Sequence, residues 1–566
     1  MRTSVNPGAT KRAIVLASLP AVMLAVCPVL ASPFESAKCS VLLVFGASAC
    51  WIVREALKER RDLHLSDDSS RDSVLLVCLG AWATVLLATT VVVQGWAVGW
   101  RPLAEIGSAI GVAAAMMRLS VNGRSLVGLI ATSSLVLSLV VLVGFFGFDM
   151  PWLFGCAAAP GRMRSAGTLG NPLFVASFLS SASFGICGWT RLQGVFRWAA
   201  VSAVLMALMA TGERTALTGI CAGAVCWLVC APRRLRQRVL AAALIAFVMV
   251  ALSGAVYLLN PRGVKAAAEG RVFLWRTSLH ELSFIGKGVG GFYGRYAANL
   301  RDLAPGMPER SFRFVAYEDQ AHNVLVQQIV EAGVAGAALF LGLISAWFWL
   351  AWKERGRIEV RAAMAGVAAI AGAGIFDNLL GRPEGLLLLA CWMVLPLLRL
   401  DQAIGVPGER SHAEQSLGRG SARLLLAGCA LALAFGTGIS LLSSYATFAG
   451  ERAEELVQWT RSQQWLRVAI AVDPAAGDAR FDLVRVLCEA GEYESCLSES
   501  ERTLPWVNEA ELHLLRVRAF EALGHADAAA KELAAARRQF PWSRDLRDER
   551  VSLPSNNSLL ISERNR

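Results

Sequence analysis

Thirteen stretches of this chain are apolar over lengths close to the roughly 30 Å hydrocarbon core of a bilayer, and a soluble fold has no place to bury so many. They fall near residues 13–31, 39–53, 73–95, 103–117, 125–147, 171–190, 196–211, 215–231, 239–258, 323–352, 362–380, 384–398 and 424–442. Three of them, 39–53, 103–117 and 384–398, are short, which leaves tilt, burial among neighbours and a re-entrant path open for each. Composition agrees, because 55% of the 566 residues are hydrophobic, only 17% are charged, and the mean hydropathy is +0.48. The expected fold is all-α, a polytopic membrane protein of about 12–13 transmembrane helices.

Orientation is read from where Lys and Arg collect. With a cytoplasmic N-terminus, the even-numbered loops carry Arg54, Lys58, Arg60, Arg61 and Arg71, then Arg118 and Arg124, then Arg191 and Arg197, then Arg233, Arg234, Arg236 and Arg238. The series continues through Lys353, Arg355, Arg357 and Arg361 to Arg399, Arg410, Arg419 and Arg423. The short loops opposite carry only Lys38, Arg101, Arg162, Arg164, Arg214 and Arg382. The net charge of +11 is therefore spread as topology signals, with no arginine-rich patch interleaved with aromatics, and no nucleic-acid partner is expected. The first apolar stretch follows Arg2, Lys11 and Arg12 and ends in Val29-Leu30-Ala31, as a cleavable signal peptide does. Its roughly nineteen apolar residues exceed the usual signal core, which favours a retained helix.

Two segments are too long and polar to be connections: a loop at 259–322 and the tail beyond the last span, both extracytoplasmic in this topology. The division is a membrane domain over 1–443, a helical domain over 444–550 and a disordered end over 551–566. In the tail, Asp473-Pro474 recurs as Leu504-Pro505 and Phe540-Pro541, and Ala490-Gly491 as Leu523-Gly524, near the 34-residue tetratricopeptide period. About two such hairpins need help from a flanking helix around 446–471 or from the membrane domain to bury their faces. Cys488 and Cys496 flank the Gly491 turn, in what should be an oxidising compartment, and are candidates for a disulfide. No spacing resembles a zinc site.

Six histidines occur, and topology places His64 and His412 on the cytoplasmic side and His513 and His525 in the tail. His280 and His322 remain, both in the loop. His322 stands where the loop enters the tenth apolar stretch, in YEDQAHNVLVQQIVEAGVAG, a boundary that can keep an imidazole neutral and basic. It reads either as a general base or as part of a helix cap, for which Asn323 is the better residue. Gly333 and Gly336 read as close-packing positions. Arg271 lies early in the loop, with Trp275 and Arg276 about one helical turn on. Arg214, in TGERTALTG, sits at an outer mouth where a guanidinium pairs with phosphate oxygens or, structurally, with Glu213. The loop holds nine basic and six acidic residues, which suits a multiply charged anion. GKGVGGF at 286–292 contains the glycine pattern of a dinucleotide fold but lacks the strand before it, so it reads as a turn bringing backbone close to a ligand or helix. Glu105, Asp377 and Arg382 line a cavity or anchor at an interface, with neither reading preferred.

GTLGNP at 167–172, GERTAL at 212–217, EGRVFLW at 269–275 followed by GKGVGGF, and AHN at 321–323 with Gly333 and Gly336 together resemble the bacterial O-antigen ligase superfamily, over about residues 70–400. Its members are O-antigen ligases, surface-polysaccharide polymerases and protein O-oligosaccharyltransferases. The resemblance implies a GT-C-like glycosyltransferase of the bacterial inner membrane that moves a glycan from undecaprenyl pyrophosphate to an acceptor hydroxyl, with inversion, without a metal and without a cofactor. It places Arg214 and Arg271 on the pyrophosphate and makes His322 the base. Substrate binding is expected to extend to Arg276, Asn323, Lys287, Arg164 and Asn171. This chain departs in carrying Glu213 before Arg214, where many relatives have a small hydroxyl residue, and in its tail. Ligation to lipid A-core is the first expectation, repeat-unit polymerisation the second and protein O-glycosylation the third. A transporter or flippase is the non-enzymatic rival. The expected partners are the lipid-linked donor, an acceptor (lipid A-core, glycan or protein), membrane lipids and a periplasmic protein held by the tail.

Overall fold

The computed structural model describes residues 7–58, 69–94, 96–146, 156–159, 162–165, 167–231, 261–303, 306–307, 311, 315, 318, 320–398 and 416–547. A helix stands at twelve of the thirteen apolar stretches; the other, 239–258, lies outside the described residues, as does the expected disordered end. These helices are α1 (Pro7–Leu24), α2 (Glu35–Lys58), α3 (Ser69–Thr89), α4 (Trp96–Arg118), α5 (Gly123–Phe145), α6 (Pro172–Gly188), α7 (Gly194–Thr211) and α8 (Thr215–Cys230). In the loop come α9 (Pro261–Ser278) and α10 (Phe292–Leu303), followed by α11 (Val324–Lys353), α12 (Ile358–Ala373), α13 (Pro383–Val394) and α14 (Ser416–Glu455). Among the described residues five helices are long and apolar enough to cross a membrane, within α2, α5, α7, α11 and α14, and shorter apolar helices occupy Val77–Val93, Pro172–Gly188, Thr215–Cys230 and Pro383–Leu397. The chain is thus an all-α, multi-pass membrane protein. One small addition is an antiparallel ribbon, β1 (Cys156–Ala159) with β2 (Arg162–Ser165), which no apolar pattern announces.

Lipid gives little hydrophobic reason for helices to associate, so close approach of small residues does the work. A Cβ on Gly372 of α12 would sit 2.7 Å from the Thr218 carbonyl oxygen of α8, and one on Gly223 of α8 would sit 2.8 Å from that of Ala365. Charged side chains gather at both ends of the bundle. At one end Arg12 donates to the Leu119 carbonyl at 2.9 Å, Arg118 to that of Ala56 at 3.0 Å, and Arg124 pairs with Glu359 at 3.3 Å. At the other, Arg382 pairs with Glu35 at 2.5 Å, Arg101 with Glu105 at 3.5 Å, and buried Lys38 donates to the carbonyls of Ala25 and Thr168, which pins the GTLGNP turn.

One membrane helix is interrupted. Within α11, Gly333 has φ 75° and ψ 177°, which breaks the helical ladder. Loop residues 283–290 fill the break: Lys287 N–H donates to the Val330 carbonyl at 2.9 Å, Gly288 N–H to that of Glu331 at 2.8 Å, and Val334 N–H to that of Ser283 at 3.2 Å. A Cβ on Gly286 would overlap the Glu331 carbonyl, and one on Gly333 the Phe284 carbonyl. The GKGVGGF glycines therefore bring backbone against a helix, one of the two expected uses. Gly336 packs towards Val85 of α3, whereas Gly333 is a helix break that packs closely against the loop and not against another membrane helix as expected. Its glycine is needed because an L side chain rarely adopts that φ.

Helix α14 continues out of the bundle into the tail, which holds α15 (Trp459–Val472), α16 (Gly477–Glu489), α17 (Tyr493–Thr503), α18 (Ala510–Ala522), α19 (Ala526–Gln539) and α20 (Arg544–Arg547). Gly491 and Gly524, both left-handed, turn α16 into α17 and α18 into α19. Ala446 of α14 and Leu466 of α15 complete the tail core with Leu483, Leu487, Leu512 and Leu515, so the flanking helix does supply the missing neighbour. Cys488 and Cys496 are disulfide-bonded across the Gly491 turn, with Cα atoms 5.3 Å apart. The tail folds back on the loop, where the Tyr293 hydroxyl donates to Glu509 and Trp542 packs on the cluster of Leu274, Phe292, Tyr296 and Leu300.

Candidate functional site

The site is built at the C-terminal end of α12, on the side of the bundle that carries the loop. After Ala373 the chain leaves the helix, and three successive carbonyls are left to find donors. That of Gly374 takes the Val324 N–H at 2.9 Å, that of Ile375 takes the Asn323 side-chain amide at 3.0 Å, and that of Phe376 takes the Arg271 guanidinium. A helix C-terminus is the negative end of its dipole, which suits a guanidinium there. Arg271 also lies over the Phe376 ring, 5.8 Å from its centroid, and Trp275 stacks on the same ring at 6.5 Å. One turn of irregular chain thus fixes both loop residues and the start of α11.

His322 is held in the middle of this contact. Its backbone has φ 46°, a left-handed conformation uncommon for a residue with a side chain. The residue before it is clamped at both backbone groups: the Ala321 carbonyl accepts from Trp275 Nε1 at 2.9 Å, and the Ala321 N–H donates to Gln327 Oε1 at 2.8 Å. Gln327 in turn donates to Glu331 Oε1 at 2.8 Å, which also accepts the Gly290 N–H at 2.9 Å. The glycine loop is therefore tied through Glu331 and Gln327 to the peptide ahead of His322. The His322 ring places Nε2 3.3 Å from a Glu318 carboxylate oxygen, and Nδ1 is buried without a hydrogen bond among the described residues.

Burial pushes the Arg271 guanidinium below its ordinary pKa, opposed by the carboxylates of Asp377, Glu213 and Glu318. Asp377 is fully buried and accepts from Ser177 Oγ at 2.5 Å and from the Asn378 N–H at 2.7 Å. Its charge acts on Arg271 and His322. Glu213 brings the α7–α8 turn to the same place. Arg214, the next residue, caps α8 from an exposed position, with no hydrogen bond or ion pair from its side chain among the described residues.

The other candidates are placed differently. Asn323 caps α11, its oxygen accepting from Leu325 and Val326 N–H at 2.9 and 3.0 Å, so its amide is occupied at both ends. Asn171 caps α6 through the Leu173 N–H at 2.9 Å. Lys287 lies beside Glu281 and Arg295, lining a shallow, solvent-open depression with Leu282 and Val330 on the flank of the loop. Arg276 is exposed on α9, and Arg164 pairs its backbone with Ala157 in the ribbon. Gln327, Glu331 and Glu318 were not singled out by sequence reasoning. A carboxylate inside an apolar stretch, with an amide four residues before it, was the available signal for the first two.

The fold and site define a multi-pass helical membrane protein whose loop packs a charged, histidine-bearing cluster against one end of its bundle. Residues 199–341, from α7 into α11, match the family model described as O-antigen ligase, and this supports the O-antigen ligase superfamily for the chain. The matched stretch contains Arg214, Arg271 and His322. No curated protein matches the sequence. The family supports O-antigen ligase activity, or a related ligase or polymerase activity, of a glycosyltransferase-like kind.

Proposed function

We propose that the chain transfers a glycan en bloc from undecaprenyl pyrophosphate to an acceptor hydroxyl on the periplasmic face of the bacterial inner membrane, with O-antigen ligation to lipid A-core as its reaction. The observation that carries this reading is the His322 ring, with one nitrogen facing Glu318 and the other buried and without a hydrogen bond among the described residues. With Nε2–H donating to Glu318, Nδ1 keeps the lone pair of a general base. It takes the acceptor hydroxyl proton as the oxygen bonds to the anomeric carbon, while the bond from that carbon to the pyrophosphate oxygen breaks with inversion. Arg271, held by the Phe376 carbonyl, and exposed Arg214 face the charge that develops on the departing diphosphate. The periplasmic placement is supported by the distribution of Lys and Arg among the loops of the sequence and by the Cys488–Cys496 disulfide. The tail, as a tetratricopeptide-like unit seated on the loop, would recruit a periplasmic protein. Deletion of 450–566 with no change in product removes that role.

The test is a deletion strain examined for its glycans. Accumulated lipid-linked polymer supports ligation. Accumulated single repeat units assign a polymerase instead, and unmodified proteins with normal polysaccharide assign protein O-glycosylation. A transporter predicts that His322→Ala leaves export working.

A further inference from the structure

Three large apolar side chains of the loop lie uncovered: Leu282 is 64% exposed, Phe284 74% and Ile285 57%. Neither the loop's own core nor the tail covers them. Their height relative to a membrane follows from α11, to which this segment is bonded. At the far end of α11, Trp349 and Trp352 are half exposed and Lys353 lies over the Trp349 ring at 3.6 Å, the arrangement of an aromatic belt with its snorkelling cation. A hydrocarbon core of roughly 30 Å at about 1.5 Å per residue spans about 20 residues, and counting back from Trp352 reaches Gly333. The helix break therefore stands at the outer boundary of the hydrocarbon, and α11 above it, with Gln327 and the His322 segment, rises clear of it.

The break is also where the loop is fastened, since Val334 N–H donates to the Ser283 carbonyl at 3.2 Å and Ala335 N–H to that of Phe284 at 3.4 Å. Phe284 and Ile285 are thereby fixed at the level of Val334, which is itself 45% exposed on the membrane-facing surface of α11. The apolar patch is thus continuous with a lipid-facing helix side. Lys287, bonded through its N–H to Val330 one turn above the break, stands at the level of the phosphates.

We propose that Leu282, Phe284 and Ile285 dip into the acyl region of the leaflet on the loop's side and anchor the loop to the lipid surface beside the α11 break. Lipid contact then sets the height of the loop over the bundle end, independently of what reaction the site performs. The test places the photoreactive residue p-benzoylphenylalanine at Phe284 of the full chain in phospholipid vesicles, with Val457, 57% exposed in the tail beyond α14, as the reference position. After irradiation, mass spectrometry should find lipid adducts at 284 and none at 457. Adducts at 284 only to a second copy or to the chain's own residues, or no adduct at 284, overturn the proposal, as do equal lipid adducts at both positions. The same variant is tested for glycan transfer, so that an error in the functional reading leaves the lipid result standing.

Discussion

Replacing Gln327 by Leu removes two hydrogen bonds at nearly unchanged volume, one from the Ala321 N–H and one to Glu331. Ala321 is fully buried, and an orphaned buried N–H costs about 1–3 kcal/mol. The left-handed backbone at His322 stores strain of about the same size, on the order of 1–3 kcal/mol. Loss of the clamp therefore removes a restraint comparable to the strain it opposes, and the His322 peptide relaxes towards an ordinary conformation. A shift of about 1 Å at a reacting group costs on the order of 100-fold in turnover. Gln327→Leu should accordingly lower kcat by about two orders of magnitude while leaving KM for the lipid-linked donor within about twofold, because Arg271 keeps its anchor on the Phe376 carbonyl. The assay is glycan transfer in washed membranes with the chain quantified by immunoblot. Unchanged turnover, or an effect confined to KM, refutes the clamp.

Gly333→Ala should place a Cβ on the Phe284 carbonyl and detach the 283–290 segment, destabilising the native loop by at least about 1–3 kcal/mol and exposing it to limited proteolysis. Replacing both Cys488 and Cys496 by Ser opens a short loop of sequence separation 8 and should cost the tail about 2–3 kcal/mol, read as a lower Tm of its unfolding. His513, Arg516 and the ion pairs they make hold the Glu532 carboxyl down to about 2, from an ordinary 4.5. That stabilisation is present above about 4.5 and is lost as pH falls through about 2, so Glu532→Gln should flatten this acid limb in a circular-dichroism titration of the full chain.

The spans were legible because bilayer thickness imposes a length that composition reports directly. The ribbon at 156–165 was not, since four-residue strands such as Cys156–Ala159 carry too little alternation to stand out. His322 and Arg271 were singled out from type and position, whereas the support that Arg271, Asn323 and Val324 share on the Gly374–Phe376 carbonyls depends on where α12 stops, which a run of Ala and Gly does not mark. Asp377 remained ambiguous for a related reason: a carboxylate near a helix end looks the same from sequence whether it faces water or a cleft. Asn171 and Asn323 illustrate the converse, since a motif asparagine that caps a helix cannot be told from one that touches substrate until its hydrogen bonds are traced.

The central claim is that His322 removes the acceptor proton. The direct measurement is transfer by the purified full chain in vesicles with lipid-linked glycan and acceptor, comparing wild type with His322→Ala at matched protein and with donor binding measured in parallel. The account predicts that transfer falls by at least about 100-fold while the donor still binds. Wild-type transfer by His322→Ala would contradict it.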